Sequence, residues 1–206
     1  MTSPYPIPEQ LPPCPDAQTG LPRPPQAPRG YKGKNRTPTN RIPRKAPPPP
    51  EGQGPRIEWF QESNRSSLVA GGLTIVFMAA FFTLRNGFGW ATNWAVWLTF
   101  FLTGLAIFSC FRNSWVAAGA RWLQWRKAGW VDVYTLTKIN IRASGPNAYI
   151  DLADSAGRSI SPKLSDIQDS QRIWDLVYNG IVHSVANGTA DPDRKTRLNL
   201  KLPPRP

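Results

Sequence analysis

The stretch Phe111–Trp130, FRNSWVAAGARWLQWRKAGW, decides how this chain is read. Within it Trp115, Trp122, Trp125 and Trp130 are interleaved with Arg112, Arg121, Arg126 and Lys127. Two kinds of surface use that mixture. One stacks indoles on nucleic-acid bases and neutralises phosphates with cations. The other lies at a membrane interface, where indoles and cations sit at headgroup level. On a helical wheel Trp115, Ala118, Trp122 and Trp125 share one face, Arg121 and Gln124 fall opposite, and Arg126 has to snorkel. The flanking sequence chooses between the two.

Immediately upstream, LVAGGLTIVFMAAFFTL (68–84) and WAVWLTFFLTGLAIFSCF (94–111) carry no charge. As helices they are roughly 26 and 27 Å long, close to the ~30 Å hydrocarbon core once their polar flanks are counted. The alternative, a buried helical hairpin in a soluble core, lacks other apolar segments to surround it. The expectation is a transmembrane hairpin over residues 66–111. Its connector RNGFGWATN (85–93) holds Gly87 and Gly89 for a tight turn. The connector has one basic residue, Arg85, whereas the outer flanks hold Arg56, Arg65, Arg112, Arg121, Arg126 and Lys127. The positive-inside rule then places both termini in the cytoplasm of a multi-pass cell-membrane protein. Trp90, Trp94 and Trp97 form an outer aromatic belt. Residues 112–129 are expected to form an interfacial helix, or a prolongation of the second span into the interface, with Trp115, Trp122, Trp125, Arg112, Arg121, Arg126 and Lys127 at an anionic inner leaflet. Small residues (Ala70, Gly71, Gly72, Thr103 and Gly104) suit close packing of the two spans on each other, or a homo-oligomer.

The N-terminal part is the opposite in composition. Residues 1–55 hold 17 of the 23 prolines, too little aliphatic surface to offset ordering entropy, so residues 1–65 are expected to be a disordered, basic, proline-rich tail. Arg29, Lys32, Lys34, Arg36, Arg41, Arg44 and Lys45 occur without an acidic residue among them. Such a run draws on anionic lipid at roughly 1 kcal/mol per cation, or binds nucleic acid weakly and salt-sensitively. Its PxxP matches are common by chance in such a tail.

After Trp130 the period changes. WVDVYTLTKINIRA (130–143) is β-branched and alternating, and reads as one long or two short strands; SGPN (144–147) is turn chemistry, and AYIDLAD (148–154) is the next strand. DSAG (154–157) turns again, and RSISPKL (158–164) is a third strand that Pro162 ends or confines to an edge. Asp169 or Ser170 caps a helix with the stripe Ile173, Trp174, Val177, Tyr178, Ile181, Val182 and Val185, stopped at Asn187–Gly188. Residues 130–188 thus read as a small α+β domain, an antiparallel sheet crossed by one helix with Trp174 at its centre. Residues 189–206 read as a disordered basic tail.

Catalytic chemistry is hard to place. There is no glycine-rich phosphate loop, nucleophile elbow or zinc spacing. The single histidine, His183, falls on the polar side of the helix and reads as solvated, and the count excludes a multi-His metal site. Asp151 with Asp154, and Asp166 with Asp169, sit where turns and helix starts favour carboxylates anyway. Cys14 and Cys110 form no disulfide framework. No catalytic residue, metal or cofactor is expected, and the sequons at Asn35, Asn64 and Asn187 face the cytoplasm, where they stay unglycosylated.

The segment from Asp151 to Gly188, with its D-x-x-G hairpin and W-D-L-V-x-x-G-I-x-H-S-V helix, resembles the C-terminal part of uncharacterised actinobacterial membrane proteins associated with mobile genetic elements. That resemblance covers about forty residues, carries no catalytic motif, and implies a role in plasmid or phage biology. The strands followed by one helix also resemble a membrane-bound bacterial PH-like domain, with fewer strands than that fold uses. Together these features describe a non-enzymatic membrane protein that tethers a small interaction domain to the bilayer for a protein partner. The competing description is an accessory of conjugative DNA transfer whose basic tails touch DNA.

Overall fold

The computed structural model describes residues 11–30, 47–61, 64–112, 115–126, 129–145 and 147–202. The chain divides into two compact units, Gln61–Ser114 and a larger one made of Met1–Phe60 with Trp115–Pro206.

The smaller unit is helical. Helix α1 (Asn64–Asn86) runs into a single 3-10 stretch, Gly87–Thr92, and helix α2 (Trp94–Arg112) returns along it. Gly87 takes a left-handed φ of 64°, which a side chain would resist, and so permits the reversal. The helices meet through small residues. A Cβ on Gly71 would lie 3.1 Å from the Gly104 carbonyl oxygen, and one on Gly104 would lie 2.7 Å from the Ile75 side chain. At the turn, Trp90, Trp97, Phe82 and Phe100 form one ring cluster with centroids 5.4–6.5 Å apart. Among the described residues, one segment, Gly71–Thr92, is by length and composition long and apolar enough to cross a membrane, and the apolar run Trp94–Ser109 is shorter.

The larger unit holds two sheets. Strands β1 (Glu58–Gln61), β2 (Trp115–Ala118), β3 (Trp122–Trp125) and β4 (Trp130–Asp132) lie in that order in the first. Strands β5 (Leu136–Ser144), β6 (Asn147–Asp154) and β7 (Ser159–Ile160) make an antiparallel meander in the second. Sequence periodicity anticipates this meander closely, because Ile139, Ile150, Leu152 and Ile160 are buried and their neighbours are not. One carboxylate joins the sheets. Asp154 accepts from the Asp132 N–H of β4, from Ala156 and Arg158 N–H in its own turn, and from the Arg158 guanidinium at 2.7 Å. Burial works to raise the Asp154 carboxyl, but these donors outweigh it and hold the group below its ordinary value. Arg158 also lies 3.4 Å above the Trp130 ring, closing the corner.

Across the strands lies helix α4 (Gln171–Ala186), preceded by the short α3 (Leu164–Gln168). Ile173, Trp174, Val177 and Ile181 are buried within the core, as their spacing predicts. Helix and sheet approach closely at Gly180, where any Cβ would collide with Val133. Beside it the Ser184 hydroxyl donates to Val133 O and accepts from Leu136 N–H, satisfying two buried backbone groups.

Three expectations fail here. The Trp/Arg stretch is not an interfacial helix, because residues 115–125 form the β2–β3 hairpin, with Val116 opposite Trp125 and Ala118 opposite Leu123. Gly119 is the physical reason. It occupies the turn where only hydrogen leaves room for the Trp122 indole folding back over it, and its N–H bonds Trp122 O. The same three-residue tryptophan spacing that fits a helical wheel puts Trp122 and Trp125 on opposite faces of a strand. Secondly, residues 11–30 and 47–60 are ordered parts of the larger unit rather than a disordered tail, while residues 1–10, 31–46 and 62–63 lie outside the described residues. Thirdly, the C-terminal segment contains helix α5 (Arg194–Leu200), capped by Asp193 accepting from Thr196 N–H at 2.8 Å. Thr196 is buried, and its hydroxyl accepts from Ile141 N–H on the edge of β5. Leu200 and Leu202 complete the core.

Candidate peptide-binding face of helix α4

Helix α4 has two working faces. One is the apolar stripe against the sheet. The other carries Gln171, Asp175, Asn179 and His183, four polar residues spaced by four and therefore stacked along one side. This side is covered by the proline-rich segment 11–30. Polyproline backbone makes no internal hydrogen bonds and leaves its carbonyls open to donors. Helix α4 supplies those donors.

At one end, His183 Nε2 lies 2.6 Å from Pro12 O and Asn179 Nδ2 donates to Pro13 O at 3.3 Å. At the other, the buried Trp174 indole donates to Pro28 O at 2.9 Å and Gln171 donates to Ala27 O at 3.0 Å. Asp175 accepts from Ala27 N–H at 2.8 Å and from Gln171 at 2.7 Å. Burial pushes the Asp175 carboxyl above its ordinary value, with the Ala27 and Gln171 donors opposing that shift only in part. Between the two contact points the segment reverses at Asp16–Gly20. There Asp16 Oδ1 accepts from Gln18 N–H and Thr19 N–H, and Gly20 takes φ 68° against Ile57.

Tyr134 closes the Pro12–Pro13 end. Its hydroxyl accepts from Asn179 Nδ2 at 2.9 Å, its ring packs 5.2 Å from His183, and the Cys14 thiol lies beside it. Burial, reinforced by that thiol, raises the Tyr134 phenol well above its ordinary value, so it stays protonated at any physiological pH. Midway, Glu58 meets Arg23 at 3.6 Å and Arg172 at 3.4 Å. A small cleft there is lined by Gly20, Arg23, Ile57, Glu58, Arg172 and Asp175.

The residues expected at a membrane interface separate into two groups. Trp90, Trp94 and Trp97 all belong to the helical unit. Trp90 donates to Thr83 Oγ1 and Trp97 to Ala91 O, and Trp94 is exposed at the start of α2. Arg112 ends α2, and Lys127 lies outside the described residues. Trp115, Trp122 and Trp125 belong to the sheet unit. Trp122 is 1% exposed and donates to Gly54 O, so it belongs to the protein interior and not to a bilayer surface. Arg126, at a left-handed φ of 51°, stacks 5.0 Å from the Trp125 ring, and Arg121 lies over Tyr134 and 3.9 Å from Asp132. His183 is half-buried against the Pro12 carbonyl rather than solvated. Among the described residues no three His, Cys, Asp or Glu side chains gather in a way that could hold a metal ion.

The candidate residues missed in sequence reasoning are the polar stripe and its proline partner. A solvated helix face also carries polar side chains at four-residue spacing, and only the carbonyls of the proline segment reveal these as donors. Compared with models of known protein families, with curated proteins and with solved structures, the chain matches none.

Proposed function

We propose that this chain is a membrane-anchored interaction module, in which α1 and α2 form a two-span hairpin that tethers the α+β unit to the cytoplasmic face of a cell membrane. The observation that carries the reading is the outward display of apolar side chains along both helices. Leu73, Val76, Phe77, Phe81 and Leu84 in α1, and Leu98, Phe101, Leu102 and Leu105 in α2, are exposed, with Leu84 at 90% and Phe77 at 73%. An apolar surface continuous over two helices is unfavourable in water and suited to lipid. Association through Gly71 and Gly104 fits the same solvent, because in lipid helices pair by close backbone packing rather than by hydrophobic burial. Trp90, Trp94 and Trp97 then lie at the outer headgroup level and Arg112 at the inner one. The mechanism is non-enzymatic: anchoring raises the local concentration of the α4 face for its partner.

Topology is tested with cysteine variants in a Cys14→Ala, Cys110→Ala background. With Thr92→Cys, an impermeant maleimide should label intact cells. With Ser155→Cys, labelling should require permeabilisation. Release of the protein from membranes by alkaline carbonate, or labelling of both variants in intact cells, overturns the anchored cytoplasmic arrangement.

A further inference from the structure

We infer that the α4 face is a receptor for residues 11–30, and that its exchangeable partner is the same segment of a second copy of this chain. The inference deepens the interaction-module reading by naming the partner of that module, and it does not depend on membrane insertion.

The contacts define what the face recognises. It reads two separated points, the Pro12–Pro13 carbonyls through His183 and Asn179, and the Ala27–Pro28 backbone through Gln171, Trp174 and Asp175. The two points come into register only through the Asp16–Gly20 reversal, and Arg23 adds an ionic contact with Glu58 between them. A short PxxP ligand from another protein supplies one point and neither the reversal nor the arginine. A second copy of this chain supplies all of them.

Exchange preserves every contact, since the segment meets the same residues whether it comes from its own chain or from a neighbour, and this is the condition under which swapped dimers form readily. Reach allows it too: Gly30 and Pro47 are separated by residues 31–46, a length that spans up to about 60 Å. Confinement to a membrane raises the concentration of neighbouring copies and favours the exchanged form.

The test uses two differently tagged full-length chains, both Cys110→Ala. The first keeps Cys14, and the second carries Cys14→Ala with Tyr134→Cys. Neither chain contains both cysteines, so a disulfide between positions 14 and 134 under mild oxidation joins the segment of one copy to the face of the other. A third chain keeping Cys14 with Tyr134→Cys reports docking within one copy. The expected result is a mixed-tag dimer, mapped to positions 14 and 134, that falls at least several-fold on dilution in detergent. An excess of peptide 11–30 with Cys14→Ser should also suppress it, and a scrambled peptide should not.

Full internal cross-linking of the third chain with no mixed-tag dimer at any concentration overturns the exchange. No cross-link in any chain overturns the docking itself. Equal suppression by an unrelated PxxP peptide shows that the face reads generic proline segments, which also overturns the assignment to a second copy. Because detergent-solubilised protein suffices, failure here is distinct from failure of membrane anchoring.

Discussion

In α4 the indole of Trp174 is fully enclosed and its one N–H has a partner, whereas in α1 and α2 Phe77, Leu84 and Trp94 stand in the open. The two helical regions draw on similar apolar residues under opposite rules. Around α4 the sheet covers one side and the proline segment much of the other, so most polar groups there are matched within the protein, while Asn179 Oδ1 is buried without a partner. Along α1 and α2 the backbone satisfies itself, the hydroxyls of Thr83, Thr99 and Thr103 donate back to the carbonyl four residues earlier, and the outer surface is left apolar. The comparison teaches that directional hydrogen bonds hold the first region and close backbone packing holds the second.

The sharpest way to break the first half of that comparison is Trp174→Ala. It removes the largest side chain under the helix together with the donor to Pro28. We expect a loss of about 3–5 kcal/mol in chemical denaturation followed by circular dichroism. Asp154→Ala should come next, at about 3 kcal/mol, since it strands the Asp132 and Arg158 donors and frees the two sheets from each other. Gly119→Ala should cost about 1–3 kcal/mol by displacing the Trp122 indole, seen as a shifted tryptophan emission together with a lower midpoint.

A matched pair probes the helical unit. Gly71→Val should lower the thermal midpoint of the detergent-solubilised protein by separating α1 from α2, while Gly72→Val, at a position where a Cβ meets nothing within 4 Å, should leave it nearly unchanged. Equal effects at the two positions would show that glycine packing does not hold this pair.

The smallest effect is a dependence on pH. Burial raises the Asp175 carboxyl, so the folded protein retains a proton that the unfolded chain has already lost. Stability should therefore decline as pH rises from the ordinary carboxylate value through the raised folded value. Asp175→Asn should flatten that decline, by less than about 1 kcal/mol given the group's partial exposure. Asp154 has the opposite sign. Its lowered value contributes stability above the unfolded pKa, which is lost as pH falls through the folded one. Denaturation midpoints of the two variants across acid pH separate the contributions.

Much of the larger unit was legible because its signals are local. Alternation in β5 and β6 and the stripe of α4 each lie within a dozen or so residues, and Gly188, at φ 72°, ends the helix where its sequence says it should. The β2–β3 hairpin was misread because the tryptophan spacing fits one face of a helix, and a strand is chosen only when partners elsewhere, such as Ile57 donating to Ala118 O, are in place. The proline segment carries no period at all. Its order comes from donors about 150 residues further along the chain, so composition alone argued for disorder. Half of the α4 face was visible as an apolar stripe. The other half reads as solvated until its acceptors are known.

The insertion of the helical unit within the larger one sets an order of events during synthesis. β1 is complete at Gln61, and its neighbour β2 begins only at Trp115, after residues 62–114 have been made. At synthesis rates of about 5–20 residues per second that interval lasts roughly 3–10 s. Throughout it the nascent chain presents the apolar helices and no sheet on which β1 can pair. The apolar helical pair thus leaves the ribosome before the sheet that β1 joins can begin to form.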